Sequence, residues 1–359
     1  LFGARTYHLS RTIVIRHSDT TIQGSGPQTI FEYRANASPK HCFSDRVFTT
    51  SCHFFDAPPR HIPNAISIGD TAFTSADDPS DLQSGDWLLI ADRDSVVGPV
   101  TVDWAQVDYV IGPVVHVRTP FRTAFEGSRD WKPWHQGLGF QRIVALVENT
   151  QFRDFTIFVP DAGPGRGAVG ISVFGALHTT IDRVVSDSHG AQPLYSYVSK
   201  DVTITNSVGR GHRTLNEFAS TVDLYLQGNR FAIDGGPGFG LNLGTGFFNV
   251  SGNDVDVSMN MGLYLMYGVH DGTLSGNRVA FVGASASNVD AFGILAWGTQ
   301  NVIIADNYLA GGAGAGSVGI SVRSSDGDIA IPSVNVKLPG NVFGSGWMLH
   351  YEAGTVPGN

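Results

Sequence analysis

The side chains best suited to chemistry cluster in two neighbouring turns of this 359-residue chain. Asp187 and His189 lie in Ser186-Asp187-Ser188-His189-Gly190, and Arg210, His212 and Arg213 lie in Gly209-Arg210-Gly211-His212-Arg213. Tyr195 and Tyr197 follow the first turn, Asn216 and Glu217 follow the second, and Asp234 occupies the next one. A histidine base (His212 or His189), a tyrosine acid (Tyr195 or Tyr197) and a guanidinium (Arg210 or Arg213) would remove a proton from carbon beside a carboxylate. Two carboxyl groups flanking one bond are what glycoside hydrolysis needs, and Glu217 with Asp187 or Asp234 is the available pair. The plainer reading is structural: Arg213 and Glu217 are four apart and can pair, and surface charge clusters often contribute little.

These turns belong to a repeat running from about Glu148 to Glu352. One pattern is Gly, apolar, any, apolar, as in Gly170-Ile171-Ser172-Val173, Gly240-Leu241-Asn242-Leu243, Gly262-Leu263-Tyr264-Leu265, Gly293-Ile294-Leu295-Ala296 and Gly319-Ile320-Ser321-Val322. The other ends in Asn, at 206, 229, 253, 277 and 307, in steps of 23, 24, 24 and 30 residues. Self-similarity at this period means a solenoid, propeller or array, and short strands without helix-length patterns point to a β-solenoid. In period-two strands the apolar members face a core and the residues between them face out. Asn suits left-handed turn positions, and stacked Asn side chains would form a hydrogen-bonded ladder.

Composition sets the bounds. Charged residues are 15% of the chain, below the roughly 25% typical of soluble proteins, and there are 44 Gly. A net charge of −9 argues against a nucleic-acid partner, which needs a clustered basic surface. No run of 18 apolar residues crosses a membrane. The start at Leu1 without a signal-peptide pattern fits a mature secreted protein or a trimmed piece. Cys42 and Cys52 lie close together in a polar stretch and read as a local disulfide, hence export. With His41 and His53 they also make a zinc set, but one with adjacent ligands unlike the usual spacings. Sequons stand at Asn36-Ala37-Ser38 and Asn249-Val250-Ser251.

Residues 1–34 read as an entering coil, 142–352 as regular coils and 353–359 as a tail, all in a single domain. Between them, 35–141 lose the repeat but keep strand-like runs such as Trp87-Leu88-Leu89-Ile90-Ala91. This stretch is expected to be a β-rich insertion, serving as a wall beside a ligand or as a lid on the solenoid end.

Short strands, Asn-bearing turns and no helices resemble the right-handed parallel β-helix of the pectate-lyase superfamily. That group includes polysaccharide lyases, polygalacturonases, alginate epimerases and phage tailspike depolymerases. The opening Tyr7 to Thr29, with Thr21-Ile22-Gln23-Gly24-Ser25-Gly26, is similar to their first coil. The resemblance implies an all-β, right-handed parallel β-helix with an N-terminal insertion. It implies no reaction, because the polygalacturonase motifs and a lyase's vicinal Asp set for calcium are absent. No cofactor is implied; calcium stays open because Asp and Asn are plentiful in turns, though no ligand spacing supports it.

The family binds saccharide in the groove over one strand row, so the outward positions matter. Aligned on the Gly, with coils lacking it placed at Pro193 and Thr214, the first outward set is Ser172, Tyr195, Asn216, Asn242, Tyr264, Leu295, Ser321 and Met348. The second is Phe174, Tyr197, Phe218, Gly244, Met266, Trp297, Arg323 and His350. This register turns Glu217 inward. Tyr197, Asn216, Asn242, Tyr264, Trp297 and Asp234 are the expected substrate-binding residues, aromatics stacking on sugar rings and amides bonding hydroxyls; the aromatics would equally serve as internal stacks. His270-Asp271 reads as a turn pair. The expectation is a secreted enzyme acting on a polysaccharide, by β-elimination or C5 epimerisation of a uronate ahead of hydrolysis. A non-catalytic glycan-binding solenoid and a phage fibre are the alternatives.

Overall fold

Alternation at period two, broken by Gly, Asn and Asp every few residues, produces three strands per coil and a left-handed residue at many of the corners. The computed structural model describes the chain apart from residues 35–45, 51–54, 56, 95–97, 128–136, 161–167, 190, 191, 213–215, 259, 260, 283–290, 311–316, 325–330, 345, 346, 352–355, 358 and 359. The His41-Cys42 and Cys52-His53 pairs, the sequon at Asn36 and Arg213 lie outside the described residues.

Successive coils pair in parallel along three rows, making a right-handed parallel β-helix. The first row contains Arg46–Thr50, Val169–Phe174, the starts of Leu194–Thr205 and Asn216–Gln227, then Phe239–Asn242, Met261–Met266, Phe292–Trp297, Val318–Arg323 and Met348–Tyr351. The second row holds the ends of those two long strands, followed by Asn249–Ser251, His270–Ser275 and Gln300–Ala305. The third row holds the end of Ala176–His189, then Val208–His212, Arg230–Asp234, Asp254–Val257 and Arg278–Phe281. Inward side chains from all three rows, among them Ile171, Leu194, Phe218, Leu241, Leu265, Ile204, Leu226, Val255 and Val279, form one continuous core.

Two side-chain stacks maintain the coil geometry. Asn229, Asn253, Asn277 and Asn307 are buried at the corner between the second and third rows. Each accepts a backbone N–H from the coil before it and donates its amide to the Asn of the coil after it, at 2.9–3.0 Å. The expected ladder is therefore present, but Asn206 is not in it. Ser207 takes that place, donating its N–H to Asn229 Oδ1 at 2.9 Å, while Asn206 occupies the left-handed corner at φ 49°. At the start of the first row, a Cβ on Gly238, Gly262 or Gly293 would sit 2.4–2.6 Å from the next coil's carbonyl oxygen, so only Gly fits.

The insertion is a six-stranded antiparallel sheet, ordered Arg60–His61, Gly137–Ile143, Trp87–Asp94, Gly98–Ile111, Val114–Val117 and Ala72–Thr74. Its central strand is apolar on both faces for a reason. Leu88 and Ile90 face the sheet's own core with Phe121, Phe125 and Phe140. Leu89 and Ala91, with Val102 and Trp104, pack instead on Phe174, Val198 and Val222 of the β-helix. The sheet thus packs along the flank of the coils. Val100 O approaches Gly268 so closely that a Cβ there would be 1.6 Å away.

Arg122 clasps the two parts together. It binds Asp223 through both guanidinium nitrogens at 2.7 and 3.0 Å and lies 3.9 Å from the centroid of the Phe247 ring. Lys200 bonds the same carboxylate. Arg122→Ala is expected to weaken this docking by about 1 kcal/mol, a charge-assisted pair discounted for its partial exposure. Faster hydrogen exchange in 98–117 with unchanged exchange in 261–281 would show it; uniform exchange would contradict it.

Candidate functional site

The outer face of the first row has a register that can be read strand by strand. Its first column is Ser172, Tyr195, Glu217, Gly240, Tyr264, Leu295 and Ser321, ending at His350. Its second is Phe174, Tyr197, Ala219 and Asn242, then Met266, Trp297 and Arg323. Most outward positions expected from the Gly alignment hold, and one coil does not. Asn216 and Phe218 face inward, and Glu217 faces outward. A one-residue slip turns every side chain of a strand to the other face. Asn216 is fully buried and serves the corner, accepting from Leu194 N at 3.1 Å and donating to Gly238 O at 3.4 Å. It is not a groove residue.

Glu217 is therefore the carboxyl on this face among the described residues. Its Oε2 accepts from Gln192 Nε2 at 2.8 Å and its Oε1 from Asn242 Nδ2 at 3.2 Å. Burial raises its pKa above the ordinary glutamate value, and these two donors only partly oppose the shift. Tyr195 stands on the preceding coil directly beside it, about 4.8 Å away in the stacking direction. Burial, then the Glu217 carboxylate, push the Tyr195 phenol up, so it carries its proton at neutral pH. On the other side Gly240 is bare because the Tyr264 ring fills its space; a Cβ there would lie 2.1 Å from that ring. Tyr264 is only 6% exposed, so it packs beneath Glu217 and does not line an open groove.

Tyr197 is also displaced from its expected role. It lies in the seam under the insertion with Phe174, Leu89 and Val102, and burial raises its pKa against the opposing field of Arg93. Three coils beyond Glu217, about 14 Å along the axis, Trp297 is half-buried, tilted against Tyr267 at 5.4 Å and covered by the Arg323 guanidinium at 4.6 Å.

The charged turn residues gather elsewhere. Asp187, His189 and Arg210 lie on the outer face of the third row, where Asp187 pairs in register with Arg210, and His212 stands between His189 and Asp234. His189 Nε2 is 3.3 Å from Asp187 Oδ1. Asp234 accepts from Ser258 Oγ at 2.9 Å. The structure thus divides the expected acid–base set. The tyrosines and Glu217 occupy one row, and His189, Arg210, His212, Asp187 and Asp234 occupy another. Among the described residues no group of three His, Cys, Asp or Glu is placed to hold a metal ion.

Comparison with family models finds no match, and comparison with curated proteins finds none. Structural likeness is clear. The tailspike protein gp49 from Pseudomonas phage LKA1 matches with a TM-score of 0.55 at 14% identity, over 99% of this chain and 69% of its own. The chain shares its fold with phage tailspikes. A second, tailspike gp61 of Pseudomonas phage phi297, matches at 0.52 and 12% identity, over 96% of this chain and 56% of its own. Beside such a tailspike the chain spans little more than half the length.

Three residues at or beside this face, Gln192, Arg46 and Arg93, escaped the sequence reading, while Arg323 was among its expected outward positions. Gln192 holds Glu217 from the corner. Arg46, fully buried, donates Nε to Ser172 at 2.9 Å and lies 4.6 Å over the Phe174 ring. Arg93, buried in the seam, has its pKa lowered by desolvation. Arg323 makes no ion pair among the described residues and caps Trp297. An arginine directly following an apolar strand run, as in Leu89-Ile90-Ala91-Asp92-Arg93, was the available signal. Trp297→Ala is expected to weaken saccharide binding about ten-fold, the equivalent of a lost stacking contact. Calorimetry with a panel of acidic and neutral hexasaccharides checks it, and unchanged affinity throughout would leave Trp297 without a part in sugar binding.

Proposed function

We propose that this chain acts on an acidic polysaccharide laid along the first-row face between the inserted sheet and the corner turns, by β-elimination or C5 epimerisation of a uronate. The observation that carries the reading is the direct pairing of Tyr195 with Glu217, the carboxyl being held from both sides by Gln192 and Asn242. Elimination needs one base and one acid near the reacting carbon. Hydrolysis needs two carboxyls across the bond, and among the described residues of the two outward columns Glu217 is the sole carboxyl. The hydrolytic pairing of Glu217 with Asp187 or Asp234 is disfavoured because those two carboxylates belong to the third row.

In the proposed step, ionised Glu217 takes the proton from C5 of the uronate. The C4–O4 bond breaks as the C4–C5 double bond forms, and the Tyr195 phenol gives its proton to the departing O4. Glu217 then returns a proton toward Tyr195. In epimerisation the C5 carbanion is reprotonated from the opposite face instead. Arg213, three residues before Asn216 in the chain, remains the candidate cation for the reacting carboxylate, and Arg323 would hold a carboxylate further along. Activity is expected to rise with pH through the raised Glu217 value. Action outside the cell belongs to the same proposal, since that is where such polymers are met.

The test is a panel of polygalacturonate, alginate and glycosaminoglycans, read by ultraviolet absorbance of unsaturated ends and by NMR for inverted C5. New reducing ends without absorbance would move the reaction to hydrolysis. Binding without any product would make the chain a glycan-binding solenoid.

A further inference from the structure

We infer that the outer face of the third row carries a second glycan site, separate from the Glu217 cleft and selective for an anionic sugar. A cavity of ≈ 490 Å³ opens there over coils 187 to 258. Its floor is the outer face of the third-row sheet, where Ala232 is the small outward residue and Val282 is exposed at its end, while Ile233 and Val257 turn their side chains into the core. Around the floor stand Asp187, Asp234 and Arg210.

The charges around the cavity are not all spent on each other. Arg230 binds Asp256 at 2.8 Å, and Arg278 binds Asp254 and Asp256 at 2.5 and 3.1 Å, so that part of the row is a closed network. Arg210, exposed at the rim, makes no hydrogen bond or ion pair among the described residues. A guanidinium without a counter-ion beside an apolar floor fits a carboxylate-bearing sugar: ring C–H groups lie on the floor, hydroxyls donate to Asp187 and Asp234, and the carboxylate meets Arg210. Both faces adjoin the corner that carries Gln192 and Pro193, so one polymer can be held on the third row while another segment lies in the cleft. Two linked contacts would raise retention of long chains without tightening either site. The choice of a uronate rests on the reading of the first-row cleft; the site itself rests on the cavity and Arg210.

Calorimetric titration of the Glu217→Gln protein with hexagalacturonate and hexamannuronate, and with neutral cellohexaose as control, tests this. Two saturable sites are expected for at least one uronate. Arg210→Glu should weaken one of them at least ten-fold and leave the other, while Trp297→Ala does the reverse. Ala232→Phe, which fills the floor without changing charge, should reproduce the Arg210→Glu result. Two sites persisting unchanged in both third-row variants would overturn the inference, as would equal binding of cellohexaose at the Arg210-dependent site. If the parent turns over no uronate yet the Arg210-dependent site remains, the catalytic reading fails and this one stands.

Discussion

Glu217→Gln is expected to lose at least a hundred-fold in turnover, the usual loss for a general acid–base group, while becoming more stable than the parent at neutral pH. The two effects share one cause. Burial lifts the folded-state pKa of Glu217 above its unfolded value, so ionising it costs more in the native protein than in the open chain. Its contribution to stability is present below the ordinary glutamate pKa and is lost as pH rises through the raised value. The amide never ionises, so the stability gap between variant and parent should open across that window and then level off. Gln192 can turn its amide to accept from the new Gln, whereas Asn242 is fixed by its acceptance from Leu243 N at 2.8 Å. Thermal unfolding of both proteins at a series of pH values checks this. A gap independent of pH would mean that Glu217 ionises as freely in the folded protein as in the unfolded chain.

Asn253→Ala should cost about 3 kcal/mol, from a buried donor left without its acceptor together with a small cavity. The Asn253 side chain accepts both the backbone and side-chain N–H of Asn229 and donates to Leu226 O and Asn277 Oδ1. Truncation orphans the Asn229 backbone N–H where no water reaches. The neighbouring Asn206→Ala should cost far less, because that side chain is exposed and bonds only the surface carboxylate of Asp182 at 3.2 Å. Urea unfolding of the two variants compares them. Equal losses would mean the ladder adds nothing beyond the turn.

The repeat made the coils legible because the solenoid reuses one local solution, and Gly and Asn mark its corners for reasons visible in a single unit. Errors came where a coil omitted the mark. In the coil ending at Gln227 the first-row strand starts at Asn216 without a Gly, and spacing alone placed it one residue off, which hid Glu217 inside the core. In the next coil, Gly238-Phe239-Gly240 offers two glycines. Choosing the second shifted the alignment by two, which moved Asn242 to the other outward column but kept its face. Parity survives an even slip and not an odd one. The seam was invisible for a different reason: Tyr197 and Phe174 look like groove aromatics until Leu89 and Val102, about a hundred residues away, are known to cover them. Only tertiary structure could separate the third-row charges from the first-row tyrosines, because successive strands of one coil face different directions.

The most direct measurement is a crystal structure of Glu217→Gln soaked with a uronate hexasaccharide. The account predicts density along the first-row face, with a uronate C5 over residue 217, its O4 within hydrogen-bond reach of Tyr195 Oη, and a ring further along stacked on Trp297. Sugar bound only on the third row, or lying on the first row with residue 217 and Tyr195 out of reach of the ring, would contradict it.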